Sequence, residues 1–380
     1  MPFREVSIMD QRMSFVARAT EEGANVRGLC REYGISPTTG YEWLRRAKEL
    51  GRSGLADRSR RPHHSPSATA EALVREVLEL RGEHPCWGGR KIHHVLRQRD
   101  RKGVPHPNTI TGILHRHGLI SPEASEQHRP FCRFERAKPN ELWQMDFKGH
   151  FPVGAGRCHP LTVVDDHSRY AVTLRACADE ARGCVQPALE RTFRRYGLPE
   201  GILVDNGPPW GTSSRHRHTR LTAWLMRLGI EPIHGRPFHP QTRGKNERFN
   251  GTVKREVLDR GGFRSMAGLQ TRFDRWRQLY NHVRPHEGID NVPPACRFQP
   301  SARRFPRELA EPEYGSDCII RRVQEDGRIS FQGRPRFISG AFAGHPIGLR
   351  PTNQDGLFQV LFCRFHVADL DIAVPENHNL

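Results

Sequence analysis

The sequence predicts a multidomain protein: α-helical modules first, then an α/β core on a mixed five-stranded sheet, then a small all-β barrel. Three observations carry that prediction. Capped stretches with helical periodicity fill the first third of the chain. Strand-like runs then alternate with helical ones, the pattern of a sheet covered by helices. From about residue 315, short alternating runs are separated by EDGR, QGRP and NQDG turns.

Composition bounds what such a chain does. Its 380 residues allow about two to four domains. Sixty Lys and Arg oppose 42 Asp and Glu, a formal charge of +18. A surplus of that size repels itself and fits best beside a polyanion. No basic amphipathic helix of the interfacial type appears, so nucleic acid is the expected partner rather than a membrane surface. No apolar run approaches the roughly 18–20 residues of a membrane span, and the start MPFREVSIMDQRM is charged where a signal peptide is apolar. The expected location is cytoplasmic, in contact with the chromosome. Nine cysteines without a C-x-x-C pair read as reduced thiols. His216 and His218 have no cysteine pair beside them, which favours a solvated basic loop over a zinc site.

Residues 1–51 read as three short helices. Asn25 caps a helix running to Tyr33, Gly34 turns the chain, and Ser36-Pro37 opens the next helix. Trp43, Leu44 and Ala47 face inward with Leu29 and Ile35. Thr38, Thr39, Tyr41, Glu42 and Arg45 are left outside, with Arg46 next in line. A three-helix packing domain would share this periodicity, but the tight turn and the Arg45-Arg46 pair favour a helix-turn-helix whose second helix enters the major groove. A basic linker over 52–66 follows, where Arg60 and Arg61 can track phosphates. Residues 67–121 repeat the pattern as a second helix-turn-helix or winged-helix-like module. Its last helix opens on exposed Asn108, Thr109 and Thr111, although its first turn, HPCWGG, is irregular. A second basic linker spans 122–139.

In residues 140–294, ELWQMDFKG reads as a strand, and CHPLTVVDDHSRYAVTLRA as two more joined through Asp165–Arg169. A helix over Asp179–Tyr196, the strand GILVDNG, a helix around Leu221–Leu228, the strand IEPIHG and a long helix over Thr242–Asp259 complete the order. Three strands, helix, strand, helix, strand, helix describes a ribonuclease-H-like mixed sheet. A further helix lies over 263–285. Residues 295–314 form a connector, and 315–380 the barrel, where arginines and acids balance.

Three acids stand out by position. Asp146 lies in the first strand, Asp205 ends GILVD, and Glu247 sits in the first turns of the long helix. The first and fourth strands of such a sheet are neighbours, so their carboxylates converge and a crossing helix brings the third. Crowded carboxylates repel each other, and hard divalent cations relieve that repulsion. Two Mg²⁺ (or Mn²⁺) ions about 3.5–4 Å apart would hold the attacking and leaving oxygens of a phosphoryl displacement. Asn250 and Lys254 share the Glu247 face, with Arg243 one turn earlier and Lys245 between, all candidates to hold DNA. Spacing alone does not decide between this site and an exposed helix with ordinary ion pairs. Glu256 is the nearest substitute for the third acid.

The segments W-Q-M-D-F-K, T-V-V-D-D-H-S-R-Y, L-V-D-N-G-P-P-W and H-P-Q-T-R-G-K-N-E-R-F-N-G-T-V-K resemble the motifs of the integrase core in the DDE transposase and retroviral integrase superfamily, bacterial insertion-sequence transposases above all. The likeness runs from about Asn140 to Pro294. It implies an acidic triad at Asp146, Asp205 and Glu247, a helix lysine at Lys254, and a turn role for Asp165 and Asp166 with Arg169. It further implies a transposase that binds terminal inverted repeats, exposes a 3′-hydroxyl at each element end and joins it to target DNA, as a homo-oligomer of at least two copies in a bacterial cytoplasm. Two departures stand out. The Asp205–Glu247 interval is long, with SSRHRHTR as an insertion, and no His/His/Cys/Cys zinc module is present. End recognition therefore falls to the helix-turn-helix pair. The competing expectations are a non-catalytic DNA-binding regulator and a nuclease that cuts without joining.

Overall fold

Polar side chains at three helix starts shape the N-terminal module. Ser7, Asn25 and Ser36 accept the orphan amides of Asp10, Gly28 and Thr39, opening α1 (Ile8–Ala19), α2 (Val26–Glu32) and α3 (Pro37–Leu50). The computed structural model describes residues 7–58, 68–120, 135–211, 218–235 and 244–373. The chain divides into two units, Met1–Ala68 and Thr69–Leu380. In the first, Phe15 and Cys30 are fully buried, and Leu29, Ile35, Trp43 and Leu44 pack on them as the sequence pattern requires. Gly40 explains how α3 comes so close: a Cβ there would lie 2.5 Å from Cys30 Sγ and 2.9 Å from the Phe15 ring. Residues 52–57, the head of the expected linker, extend the module, because Leu55 is buried and Arg12 binds both Leu55 O and Asp57.

The second unit opens with α4 (Glu71–Glu83), α5 (Gly89–Gln98) and α6 (Pro107–Arg116), closed around Val77, Leu80, Trp87, Ile92, Leu96 and Ile113. The irregular HPCWGG turn has two physical tasks. Trp87 is buried and stacks on His84 at 3.8 Å. Gly89 lets α5 meet α6, since a Cβ would lie 2.4 Å from Pro107 O.

The sheet follows: β1 (Leu142–Phe147), β2 (Phe151–Val153), β3 (Gly156–Asp165), β4 (Ala171–Cys177), β5 (Gly201–Val204) and β6 (Glu231–His234). Its order is β2-β3-β1-β5-β6, with β4 also on β3. β1 pairs antiparallel with β3, and β5 runs parallel to β1 and to β6. The sheet is mixed, as expected, but has six strands rather than five. The addition is β2, a three-residue arm that Gly154, at φ +57°, folds back onto β3. α7 (Arg182–Tyr196) and α8 (Arg220–Arg227) share one core with Trp143, Val163 and Ile202. α9 (Gly244–Glu256) and α10 (Met266–His282) share the other with Val164 and Leu174, through Phe249, Phe273 and Tyr280.

The C-terminal residues are all-β, but the described strands do not close into the expected barrel. β7 (Ile319–Arg322), β10 (Pro346–Pro351), β11 (Leu357–Phe362) and β12 (Phe365–Asp371) make an open sheet of order β12-β11-β10-β7. β8 (Arg328–Phe331) and β9 (Arg334–Phe337) form a separate ribbon. Gln332 and Gly333 both have positive φ, so the turn closes β8 on β9 within two residues and leaves both out of the larger sheet. Ile329, Phe342, Leu349 and Phe362 pack this module together with Ala223 and Met226 of α8. Among the described residues no helix is long and apolar enough to cross a membrane, and the eight described cysteines are free.

Candidate active site and nucleic-acid interface

β1 is buried along its first four residues and opens at Asp146 and Phe147. Beside it β5 pairs in parallel, with Leu142, Trp143 and Gln144 opposite Gly201, Ile202 and Leu203. Continued two residues beyond its last pair, this register would bring Asp146 level with Asp205, at the carboxyl ends of neighbouring parallel strands, where α/β sheets bind ligands. Asn206 shapes the loop here: its amide donates to Asp205 Oδ1 at 2.7 Å, and its Nδ2 reaches Gly235 O at 3.2 Å.

The helix of Glu247 is fastened to this edge by buried polar contacts. Asn250 Nδ2 donates to Asp146 Oδ2 at 3.1 Å. The Asn246 amide donates to Gln144 Oε1 at 3.3 Å. Thr162 Oγ1 lies 3.0 Å from Asp146 O and 3.1 Å from Asn246 Oδ1. Lys245 Nζ stands 2.6 Å from Asp166 Oδ2, whose other oxygen accepts from Gln144 Nε2 at 2.8 Å. Glu247 itself, in the first turn of α9, is exposed. Sequence reasoning missed Gln144, Thr162 and Asn246. The available signal was a glutamine between apolar Trp143 and Met145 in the strand, which needs buried partners.

Among the described residues no group of three His, Cys, Asp or Glu side chains is arranged to hold a metal ion. The structure thus carries Asp146 and Asp205 at the ends of neighbouring strands and anchors the Glu247 helix, but does not gather the three as ligands among the described residues. The donor chemistry nevertheless suits a hard cation, because all three are carboxylates. Asn250 Oδ1, buried beside Asp146, has no hydrogen-bond partner among the described residues.

Several expected DNA contacts are spent elsewhere. Lys245 is turned inward onto the fully buried Asp166, and burial pulls its pKa down, so it is not offered to phosphate. Asn250 is buried and holds Asp146. Arg46 donates to Ala56 O and so belongs to the module's own packing. Glu256 is excluded as a substitute acid: it is buried between Arg284 Nε at 3.0 Å and Trp276 Nε1 at 2.9 Å. Asp165 and Asp166 sit in the turn, as expected, with Asp165 Oδ1 accepting the Ser168 amide. Arg169 pairs instead with Glu135 at 2.7 Å.

The outer faces of the helical modules remain available. Thr38 and Tyr41 are exposed on α3, and Arg45 is half-exposed with Glu42 at 2.8 Å. The Thr39 hydroxyl is engaged by Ser36. Asn108, Thr109 and Thr111 are exposed at the start of α6. Lys254 is exposed near the end of α9 and pairs with Asp259 at 2.8 Å. Arg60, Arg61 and Arg243 lie outside the described residues.

Family models give this geometry its setting. Two models described as integrase core domain match residues 136–240 and 228–294, and one described as IS481 family transposase, C-terminal domain, matches 319–378. The chain carries an integrase core domain and an IS481-type transposase C-terminal domain. Upstream, a helix-turn-helix domain model matches 11–63 and a homeodomain-like model 39–114. The chain is thus a transposase of insertion-sequence type, with helix-turn-helix DNA-binding domains ahead of its integrase core. An uncharacterized 39.2 kDa protein of insertion element IS476 from Xanthomonas euvesicatoria is 29% identical over 255 residues, covering 66% of this chain and 71% of that protein. The putative transposase of IS986/IS6110 from Mycobacterium tuberculosis is 24% identical over 284 residues, covering 68% and 93%. Among solved structures, the HTLV-2 integrase catalytic core domain in complex with magnesium superposes with a TM-score of 0.34 at 18% identity, over 42% of this transposase and 97% of that chain.

Proposed function

We propose that the transposase binds the terminal inverted repeats of its own element through α3 and α6, cleaves the DNA to expose 3′-hydroxyls, and joins them to target DNA at one active site. The parallel pairing of β1 with β5, the strands that lead to Asp146 and Asp205, with α9 bonded to Asp146 by Asn250, is the observation that supports this reading. Asp146, Asp205 and Glu247 would hold Mg²⁺ or Mn²⁺, two ions per site. When bound, such ions activate the attacking water or hydroxyl and stabilise the departing 3′-oxygen. The chain's own part is positional. Asn250 orients the Asp146 carboxylate, Asn206 orients that of Asp205, and the Lys245–Asp166 pair holds the start of α9, the helix that carries Glu247. Exposed Lys254 supplies a cation for DNA phosphate further along the helix. Both reactions proceed without a covalent protein–DNA intermediate, and the active assembly contains at least two copies.

The test uses DNA from the flanks of the encoding gene as labelled ends. Asp146→Asn, Asp205→Asn and Glu247→Gln should each lose cleavage and joining while retaining repeat binding. Mg²⁺ should raise the melting temperature of the wild type more than that of any of the three. Joining by Glu247→Gln at the wild-type rate would remove Glu247 from the site.

A further inference from the structure

Beside the acids runs an open groove of about 770 Å³, and of its lining the proposed function uses Lys254 alone. One wall is Lys148 and His150, just past β1, with Phe151 and Gly154 of the β2–β3 hairpin. The other is Lys254 with Leu258, Asp259 and residues 261–264. The walls are joined: Gly154 N donates to Phe263 O at 3.2 Å, and a Cβ on Gly154 would lie 2.7 Å from Arg264 O. Lys148, Lys254 and Arg264 line the groove against a single lining acid, Asp259, which pairs with Lys254. Phe151 and Phe263 flank it with ring centroids 5.7 Å apart. One end lies at the active site, since Lys148 is two residues beyond Asp146 and Lys254 is one turn beyond Asn250.

We infer that this groove seats a single DNA strand leading away from the acids, with its phosphates on Lys148, Lys254 and Arg264 and a base against Phe263. Cations that follow a backbone, beside aromatic rings, form the usual platform for unpaired nucleotides. A duplex, with its bases paired and stacked, would not offer base faces to the rings. The inference names the partner of the proposed active site and so rests on that proposal. Its test needs neither metal nor cleavage, so the two fail separately.

Fluorescein-labelled oligo(dT) is titrated into the full chain in EDTA at several salt concentrations and read by anisotropy. Lys148→Ala/Arg264→Ala should bind about tenfold more weakly, and its slope of log affinity on log salt should be shallower by about 1.4, roughly 0.7 per lost contact. Phe263→Leu, which keeps an apolar side chain but removes the ring, should weaken binding about fivefold at an unchanged slope. Affinity for blunt duplex should stay within about twofold. Arg182→Ala/Arg191→Ala removes the same charge from α7 and should cost oligo(dT) binding about twofold at most. Equal losses in the two double variants would overturn the assignment, as would unchanged oligo(dT) binding by Lys148→Ala/Arg264→Ala with a wild-type melting curve.

Discussion

Asn250, buried on α9, donates to the Asp146 carboxylate of β1 at 3.1 Å, a direct bond between the helix of the third acid and the strand of the first. Hydrogen bonds to charged groups contribute about 1.5–3 kcal/mol. Asn250→Ala should therefore lower unfolding free energy by about that amount and reduce strand joining more than repeat binding. Asn250→Asp sets a second carboxylate against Asp146, so it should melt lower than wild type without metal and recover with Mg²⁺. Melting curves with and without Mg²⁺, beside a joining assay, check both. Wild-type joining by Asn250→Ala would show that this bond does not position Asp146.

Gly40 is where α3 meets Cys30 and Phe15 most closely in the first module. Gly40→Ala should cost about 1–3 kcal/mol by overpacking Cys30 and Phe15, and should weaken repeat binding through loss of the α3 surface. Gly112→Ala on α6 is the contrast, because its Cβ meets only Arg116 Nη1, at 3.7 Å. There the better helix propensity should stabilise by up to about 1 kcal/mol. Repeat-binding titrations and thermal melts of both variants decide the matter, and equal behaviour would contradict the packing account.

The Glu256–Arg284 pair is buried on both sides, with exposures of 8% and 7%. Removing one partner strands a charge in the interior, so Glu256→Ala should destabilise by about 3–5 kcal/mol. Glu256→Gln keeps an acceptor for Trp276 but loses the charge, and should fall between that variant and wild type. A Glu256→Ala protein as stable as wild type in urea would refute the buried pair.

His286 contributes to the acid side of the stability profile. Burial pushes its pKa down to about 3, with Arg284, Arg169, Arg248 and Lys91 adding to the shift, and its Nδ1 accepts the Gly288 amide at 3.1 Å. The unfolded state, with a pKa near 6.5, binds the proton first, so stability falls as pH drops from about 6.5 toward 3, by up to about 1.4 kcal/mol per unit. His286→Asn removes the titrating ring and should flatten that decline. Urea midpoints at pH 7, 6 and 5 would show it, and parallel curves for the two proteins would count against His286 as the cause.

Much of the architecture was legible because it rests on local chemistry. Asn25 and Ser36 cap helices for any chain that places a short acceptor before a helical run. The alternation of strands and helices from Leu142 to Glu256 follows from periodicity in the same way. The four motifs around Asp146, Asp166, Asp205 and Glu247 marked the integrase core for the same reason: their residues are contiguous. The short β2 was invisible, since three residues carry no period and its existence depends on pairing with β3.

Sequence by itself determined which residues are acids, caps and apolar faces, and which strands lie on either side of them. Tertiary structure alone decided what each polar group is spent on. Lys245, Asn250 and Lys254 look alike along one helix, but Lys245 closes on Asp166, Asn250 on Asp146, and only Lys254 stays exposed. Glu256 and Glu247 lie on the same helix, and one is buried against Arg284 while the other faces solvent. The difference is long-range. A buried polar group must be paired, its partner lies on a distant strand or helix, and no local pattern records which partner that is.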